Sequence, residues 1–292
     1  MGFGSYSASD WKKLKTSKKL SNKQSVSEVF TQTKCDPKFD PKYIGTRECF
    51  DSDDHPNSTP IVVGLDVTAS MGYLAVKVAT EALNDFIMKL YSTNAVEDPA
   101  LMCAAYGDFR DRSPLQVTQF ESDIRIAEQL LGLYFENGGY GEVVPTCLWE
   151  FLSRHTNIDA INKRNEKGFL FTIGDDAEIR QNEVPETIER VIGDKLPGAT
   201  VGSLLEEIGK KFHVFHIMIG GEGNREWLHG HKIVIERDSI DLIPDILLGA
   251  IRLQKGASLD TVVEGSDPIR QRLLRNALSQ LQIIPDDAPV TL

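Results

Sequence analysis

From residue 60 onward the chain keeps returning to short, nearly unbroken apolar runs: IVVGL, LMCAAY, FLFTI and FHVFHIMI. A strand that alternates can face water on one side, whereas a run that is apolar throughout must be covered on both faces. Covering both faces takes crossover helices between parallel neighbours, so the runs predict an α/β fold. The intervening segments supply those helices. Leu74, Val78, Ala82, Phe86 and Leu90 recur every fourth residue and predict one amphipathic helix from Met71 to Tyr91. Further helices are expected over 122–133, 145–155, 185–192, 200–211 and 239–255. A last one is expected over 268–282, with Ile269, Leu274, Leu278 and Leu281 on one side. Pro145 and Pro185 suit a first helical turn, where a missing N–H costs nothing.

The expected strands are 61–65, 101–106, a weaker edge strand at 115–118, 169–173, 212–219 and 232–235. The second and third lie too close together for a helix between them, which makes that pair an antiparallel hairpin. The remainder is a mostly parallel, doubly wound, Rossmann-like sheet. With the third strand running backwards, the helix after it returns to the carboxyl edge and delivers the loop 136–142 there. Three loops then share that edge: 66–70, 136–142 and 174–177. Ligands of open α/β sheets sit outside the carboxyl ends of the strands, where strand order reverses, and strands one and four flank that point here.

A chain of 292 residues fits a core domain of about 200 residues with flanking segments. We divide it into an arm over 1–58, a core domain over 59–254, and a linker with an amphipathic helix over 255–292. Residues 1–50 hold ten Lys and Arg against five Asp and Glu, a net +5, which leaves the rest at −16 within a total of −11. An acidic body argues against nucleic acid lying across the core domain, because phosphate contacts need a positive face. Only the basic arm could touch an anionic partner. Lysines mixed with Ser, Thr, Asn and Gln predict that this arm is a solvated, partly disordered tail.

No apolar run approaches the roughly 18 residues of a membrane span, and no apolar stretch follows the first basic residues as in a secretory signal. The expectation is a cytoplasmic protein. Cys35, Cys49, Cys103 and Cys147 lack CxxC spacing and read as reduced thiols. His213 and His216 lie three apart on a strand and point to opposite faces, which does not suit zinc. GGEGNREW lacks the spacing of a dinucleotide fingerprint and the Lys-Ser/Thr of a P-loop.

At the exit of the first run, DVTASMG places Asp66, Thr68 and Ser70 at i, i+2 and i+4, on one side of an extended segment. Thr68 and Ser70 could also cap the helix that follows, but capping takes one residue. It also leaves Asp66 unexplained, since a carboxylate ending an apolar strand is costly unless it is paired, hydrogen-bonded or metal-bound. Across the switch point FTIGDD delivers Asp175, with Asp176 beside it. Two hydroxyls with carboxylates acting partly through water suit Mg²⁺, which demands octahedral oxygen coordination.

IVVGLDVTASMG resembles the DxSxS metal-ion-dependent adhesion site of von Willebrand factor type A domains, and GFLFTIGDD resembles their later strand ending in aspartate. The resemblance spans about residues 59–254 and implies a Rossmann-like fold that binds protein partners through a divalent cation. It places the first aspartate on Asp66, the two hydroxyl ligands on Thr68 and Ser70, and the late aspartate on Asp175. Thr68 stands where serine is commoner and keeps the hydroxyl. The second-loop threonine has no clean counterpart in ENGGYGEVVPTCLWE: Glu142 is the better stand-in by position, and Thr146 would lie inside the following helix. Asp108, in YGDFRDRSP, leaves strand two at the same edge as a further carboxylate or as a turn-forming residue. HPNSTPI, SPLQVTQFESD and GFLFTIGD also look like segments of uncharacterised bacterial and phage proteins carrying this domain.

The reading that follows is a noncatalytic intracellular adaptor. Its Mg²⁺, or Mn²⁺ or Ca²⁺ in its place, would take an acidic side chain from a protein partner, away from any membrane. One alternative is a Mg²⁺-dependent phosphohydrolase. Such enzymes resemble haloacid-dehalogenase-type hydrolases when the sequence reads DxDxT, but the second carboxylate is Thr68 here. GxSxG and HExxH are absent as well. Another alternative is a metal-free scaffold that works through its terminal extensions.

Overall fold

A computed structural model describes residues 4–21, 23–139, 143–175, 183–220, 228 and 230–283. Its centre is a six-stranded sheet. In chain order the strands are β1 (Arg47–Cys49), β2 (Thr59–Asp66), β3 (Pro99–Tyr106), β4 (Leu115–Val117), β5 (Thr156–Ile158), β6 (Gly168–Gly174), β7 (Phe212–Ile219) and β8 (Lys232–Ile235). The main sheet runs β4-β3-β2-β6-β7-β8, while β1 and β5 form a separate parallel pair. Every neighbour in the main sheet is parallel except β4, which pairs antiparallel with β3 through Tyr106 and Leu115. The expected hairpin and the mostly parallel α/β architecture are both present, compatible with a Rossmann-like fold. β2 pairs with β3 on one side and β6 on the other, so strand order reverses beside β2.

The central strands β2, β3, β6 and β7 each feed two cores, because side chains alternate across the pleat. Ile61, Val63 and Leu65 of β2 join Phe169, Phe171, Ile173, Phe215 and Ile217 in one buried cluster. Val62 joins Met102, Ala104, Tyr106, Leu170 and Val214 in the other. The first cluster is covered by the helix Gly72–Lys77 and its continuations Val78–Ala82 and Leu83–Thr93, together with Ile243–Gln254. The expected single helix from 71 to 91 thus carries one π-helical turn in its middle, over Val78–Ala82. The second cluster is covered by Pro145–Arg154, Val184–Val191 and Val201–Gly209.

The flanking segments depart from the expectations. In place of a solvated tail, residues 4–21 and 23–58 contribute Tyr6, Trp11, Leu14, Leu20, Val29, Phe30 and Phe39 to the first core. In the helix Ala8–Ser17, Trp11 and Leu14 share one face at i, i+3 while Lys12, Lys13 and Lys15 take the others, and Ser7 caps it by accepting from Asp10 N. Counting charges hid that stripe. β1 then pairs with β5, and Arg164 Nη1 bridges to Asp51 Oδ2 at 2.5 Å, so the arm is stitched to the domain. At the other end, the helix Pro268–Leu278 buries Leu274, Ala277 and Leu278, but Ile269 is 65% exposed. Ile269 lies five residues before Leu274, which at 3.6 residues per turn puts it well off the buried stripe. Arg270 fixes this helix by bridging Asp245 and Asp241. Among the described residues no helix is long and apolar enough to cross a membrane.

Candidate metal centre

Asp66 is the last residue of β2, and its carboxylate is fully buried at 0% exposure. The chain turns immediately. Thr68 N donates to Asp66 Oδ1 at 2.8 Å and Thr68 Oγ1 donates to the same oxygen at 2.7 Å. A buried carboxylate without donors would cost several kcal/mol, so this local turn is what lets Asp66 close an apolar strand. Thr68 Oγ1 lies 3.2 Å from Ser70 Oγ, and Ser70 Oγ donates to Asp175 Oδ1 at 2.8 Å. Asp175 directly follows β6, on the other side of the switch point. The four residues form two hydrogen-bonded pairs, Thr68 with Asp66 and Ser70 with Asp175, whose hydroxyl oxygens meet 3.2 Å apart across the two strand ends.

Neither hydroxyl caps the helix that follows. Its N-cap position is Met71, without a side-chain cap, and Met71 N instead donates to Thr68 O at 3.1 Å. Thr68 and Ser70 are turned toward carboxylates. The floor beneath them admits no side chain at position 174: a Cβ on Gly174 would lie 2.9 Å from Asp66 Oδ2 and 2.9 Å from Tyr106 Oη. Tyr106 is itself buried, with its hydroxyl donating to Ile173 O at 3.1 Å.

The loop after the hairpin reaches this edge, since Ala69 N donates to Gly138 O at 2.8 Å. Glu142, the expected stand-in for a second-loop threonine, lies outside the described residues, as does Asp176. Thr146 is the second residue of the helix Pro145–Arg154 and is 1% exposed. Asp108 is buried, its Oδ1 accepts from Arg110 N at 2.8 Å, and its N–H donates to Asp111 Oδ2 at 3.0 Å. These are the bonds of a turn-forming aspartate. Burial first, with Glu136 and Asp108 adding negative charge, pushes the Asp111 carboxyl up from 3.8 to about 6. Glu136 in turn accepts from Arg112 N and Ser113 N at 3.0 Å, which ties this turn to the 136–139 loop.

Sequence reasoning passed over three residues here. Arg237 Nη2 bridges to Asp175 Oδ2 at 2.5 Å, although 62 positions separate the two. The signal available was that β8 ends at the same edge, so the residues after it arrive beside those after β6. Tyr73, one helical turn beyond Ser70, is 59% exposed. Tyr106 reads from sequence only as the end of an apolar run.

Two carboxylates and two hydroxyls linked in this way make an all-oxygen donor set, which fits a hard divalent cation such as Mg²⁺, Mn²⁺ or Ca²⁺. Among the described residues no three His, Cys, Asp or Glu side chains gather as a metal-holding group, so a cation held here would need the hydroxyls of Thr68 and Ser70 beside the two carboxylates. His216 is buried, with Nδ1 2.7 Å from Thr172 Oγ1, and His213 lies against Phe169. A cleft of about 420 Å³ lies elsewhere, lined by Lys38, Arg47 and Arg125 among others, and includes none of the four residues.

No protein-family model matches the chain, and no curated protein matches it. Among solved structures it is similar to the pilus adhesin SpaC from Lactobacillus rhamnosus GG in the open conformation, with a TM-score of 0.47 and 10% identity. A second crystal form of the same adhesin gives a TM-score of 0.44 and 11% identity. In both comparisons the alignment covers 72% of this chain and 31% of the adhesin, so the chain spans under a third of that protein's length.

Proposed function

We propose that the chain is a noncatalytic binding protein of the von Willebrand factor type A kind, whose carboxyl-edge site captures an acidic group of a protein partner through Mg²⁺. The observation that carries this reading is the cluster of Asp66, Thr68, Ser70 and Asp175, two hydroxyl–carboxylate pairs whose hydroxyl oxygens stand 3.2 Å apart between the ends of two strands at the switch point. When bound, the ion supplies a positive centre with an open coordination position for an external carboxylate. The residues do the rest. Asp66 and Thr68 are fixed by the turn they share, and Gly174 leaves their floor open. Ser70, on the exposed side, sets the distance to Asp175. Tyr73 beside the rim offers an exposed ring to the partner, the residue type that most often anchors an interface.

Phosphohydrolysis finds no support in the site: position 68 carries a hydroxyl that donates to Asp66, not a carboxylic acid. One observation favours a metal-free scaffold, namely the guanidinium already placed on Asp175.

Calorimetric titration with Mg²⁺ tests the proposal, run beside pull-downs from host lysate with and without chelator. Saturable binding by the wild type, lost in Asp66→Asn, with chelator-sensitive capture lost in the same variant, is the expected result. Capture insensitive to both chelator and Asp66→Asn would refute it.

A further inference from the structure

Arg237 stands two residues beyond β8, and its side chain is 53% exposed, yet it reaches a carboxylate that is only 3% exposed. The guanidinium comes in from solvent onto a buried acceptor. Its stem has a prepared bed: Gly220, directly after β7, adopts φ +66°, and a Cβ there would fall 2.6 Å from Arg237 Cγ. Any other residue at 220 would adopt this backbone with strain and would push the arginine aside. Each oxygen of Asp175 thus already accepts one hydrogen bond, Oδ1 from Ser70 Oγ and Oδ2 from Arg237 Nη2. A divalent cation among these donors would stand next to a permanently positive group that holds one of them, and like charges at such range repel.

We infer that Arg237 is a resident counter-cation: the Arg237–Asp175 bridge and a bound divalent ion exclude each other, so the ion must displace the guanidinium from Asp175. This rests on the metal reading above. It adds that the apo site is held together by an internal cation, which keeps the two buried aspartates from facing each other uncompensated. It adds also that metal affinity is set by an exchange, and that loading frees an arginine at the rim, where an acidic partner arrives.

The test is a Mg²⁺ titration of the full chain by calorimetry, with melting curves in chelator and in Mg²⁺. Arg237→Gln is compared with wild type, with Arg237→Lys, which keeps the charge, and with Arg275→Gln. Arg275, on the last helix, bridges exposed Asp260 of the short helix before it, so its loss changes net charge equally but not locally. Arg237→Gln is expected to bind Mg²⁺ about tenfold tighter, the size of a typical coupling between two ligands of one site. Arg275→Gln should stay within about twofold, since an exposed pair contributes little, and Arg237→Lys should lie closer to wild type than Arg237→Gln. In chelator Arg237→Gln should melt below wild type, and Mg²⁺ should close that gap. In the wild type, the Arg237 Nε–Hε resonance should shift saturably with Mg²⁺.

Equal Mg²⁺ affinity in wild type and Arg237→Gln, or weaker binding in the variant, overturns the inference. If Asp66→Asn still abolishes binding in that case, the metal reading survives without it. Absence of Mg²⁺ binding in both wild type and Arg237→Gln overturns both.

Discussion

Asp66 and Asp175 leave adjacent strands at the same edge of one sheet, and the structure holds them in opposite ways. Asp66 is tied to its own loop: its Oδ1 accepts from Thr68 N and from Thr68 Oγ1, two residues on. Asp175 is fixed from a distance, by Ser70 across 105 positions and by Arg237 across 62. A locally determined carboxylate is rigid before any ligand arrives. One held by distant side chains can exchange its partners. The switch point therefore joins a fixed half, on β2, to an exchangeable half, on β6.

The largest expected effect comes from removing the fixed half. Asp66→Ala strips Thr68 N–H and Oγ1 of their acceptor, and leaving a buried donor unsatisfied costs about 1–3 kcal/mol. It also removes the Mg²⁺-dependent stabilisation, about 2.7 kcal/mol when the ion is hundredfold above its dissociation constant. Denaturant melts with and without Mg²⁺ measure both parts, and Asp66→Asn should lose the second while keeping most of the first. Next comes the shared floor. Gly174→Ala forces a methyl within 2.9 Å of Asp66 and Tyr106, an overpacking cost of about 1–3 kcal/mol in the same melts. If this variant were as stable as wild type, the two halves would not be as closely joined as described.

Asp111 sharpens the comparison through pH. Its folded pKa of about 6 lies above the ordinary 3.8, so the folded state binds the proton more tightly than the unfolded chain does. That contribution is complete below the unfolded value and is lost as pH rises through about 6. Asp111→Asn, neutral at every pH, should match wild type near pH 4 and exceed it above pH 7 by about 1–3 kcal/mol, as read from melts across that range. The smallest effect belongs to the contact between the halves: Ser70→Ala, which removes the donor to Asp175 from an exposed position, should change stability by no more than about 1 kcal/mol. It should still weaken Mg²⁺ binding in a calorimetric titration.

The same contrast explains what could be read from the sequence. Asp66, Thr68 and Ser70 were legible as one short string, but the extended exit expected of them is absent: the chain turns at once, and it is that turn, with Thr68 N–H on Asp66 Oδ1 and Met71 N–H on Thr68 O, that gathers the three side chains. The mostly parallel sheet followed from unbroken apolar runs, and its antiparallel hairpin from a gap too short for a helix. Asp175 was reachable by the same reasoning, as the residue ending another such run. Arg237 was not, because its role depends on which strands become neighbours and on the bed that Gly220 provides. The arm was misread for a related reason: Trp11 and Leu14 form a two-residue stripe among lysines, and only the groove they enter shows that it is buried. Ile269 failed in the opposite sense, placed on a face that the helix turns to solvent.

The central claim is that a divalent cation sits between the ends of β2 and β6. Paramagnetic Mn²⁺ tests this most directly, by distance-dependent broadening of backbone amide resonances in the isotope-labelled chain. The account predicts selective broadening at Thr68, Ala69, Ser70, Gly138 and Asp175, reversed by excess Mg²⁺ and absent in Asp66→Asn. Broadening that spares these residues, or that persists unchanged in Asp66→Asn, would contradict it.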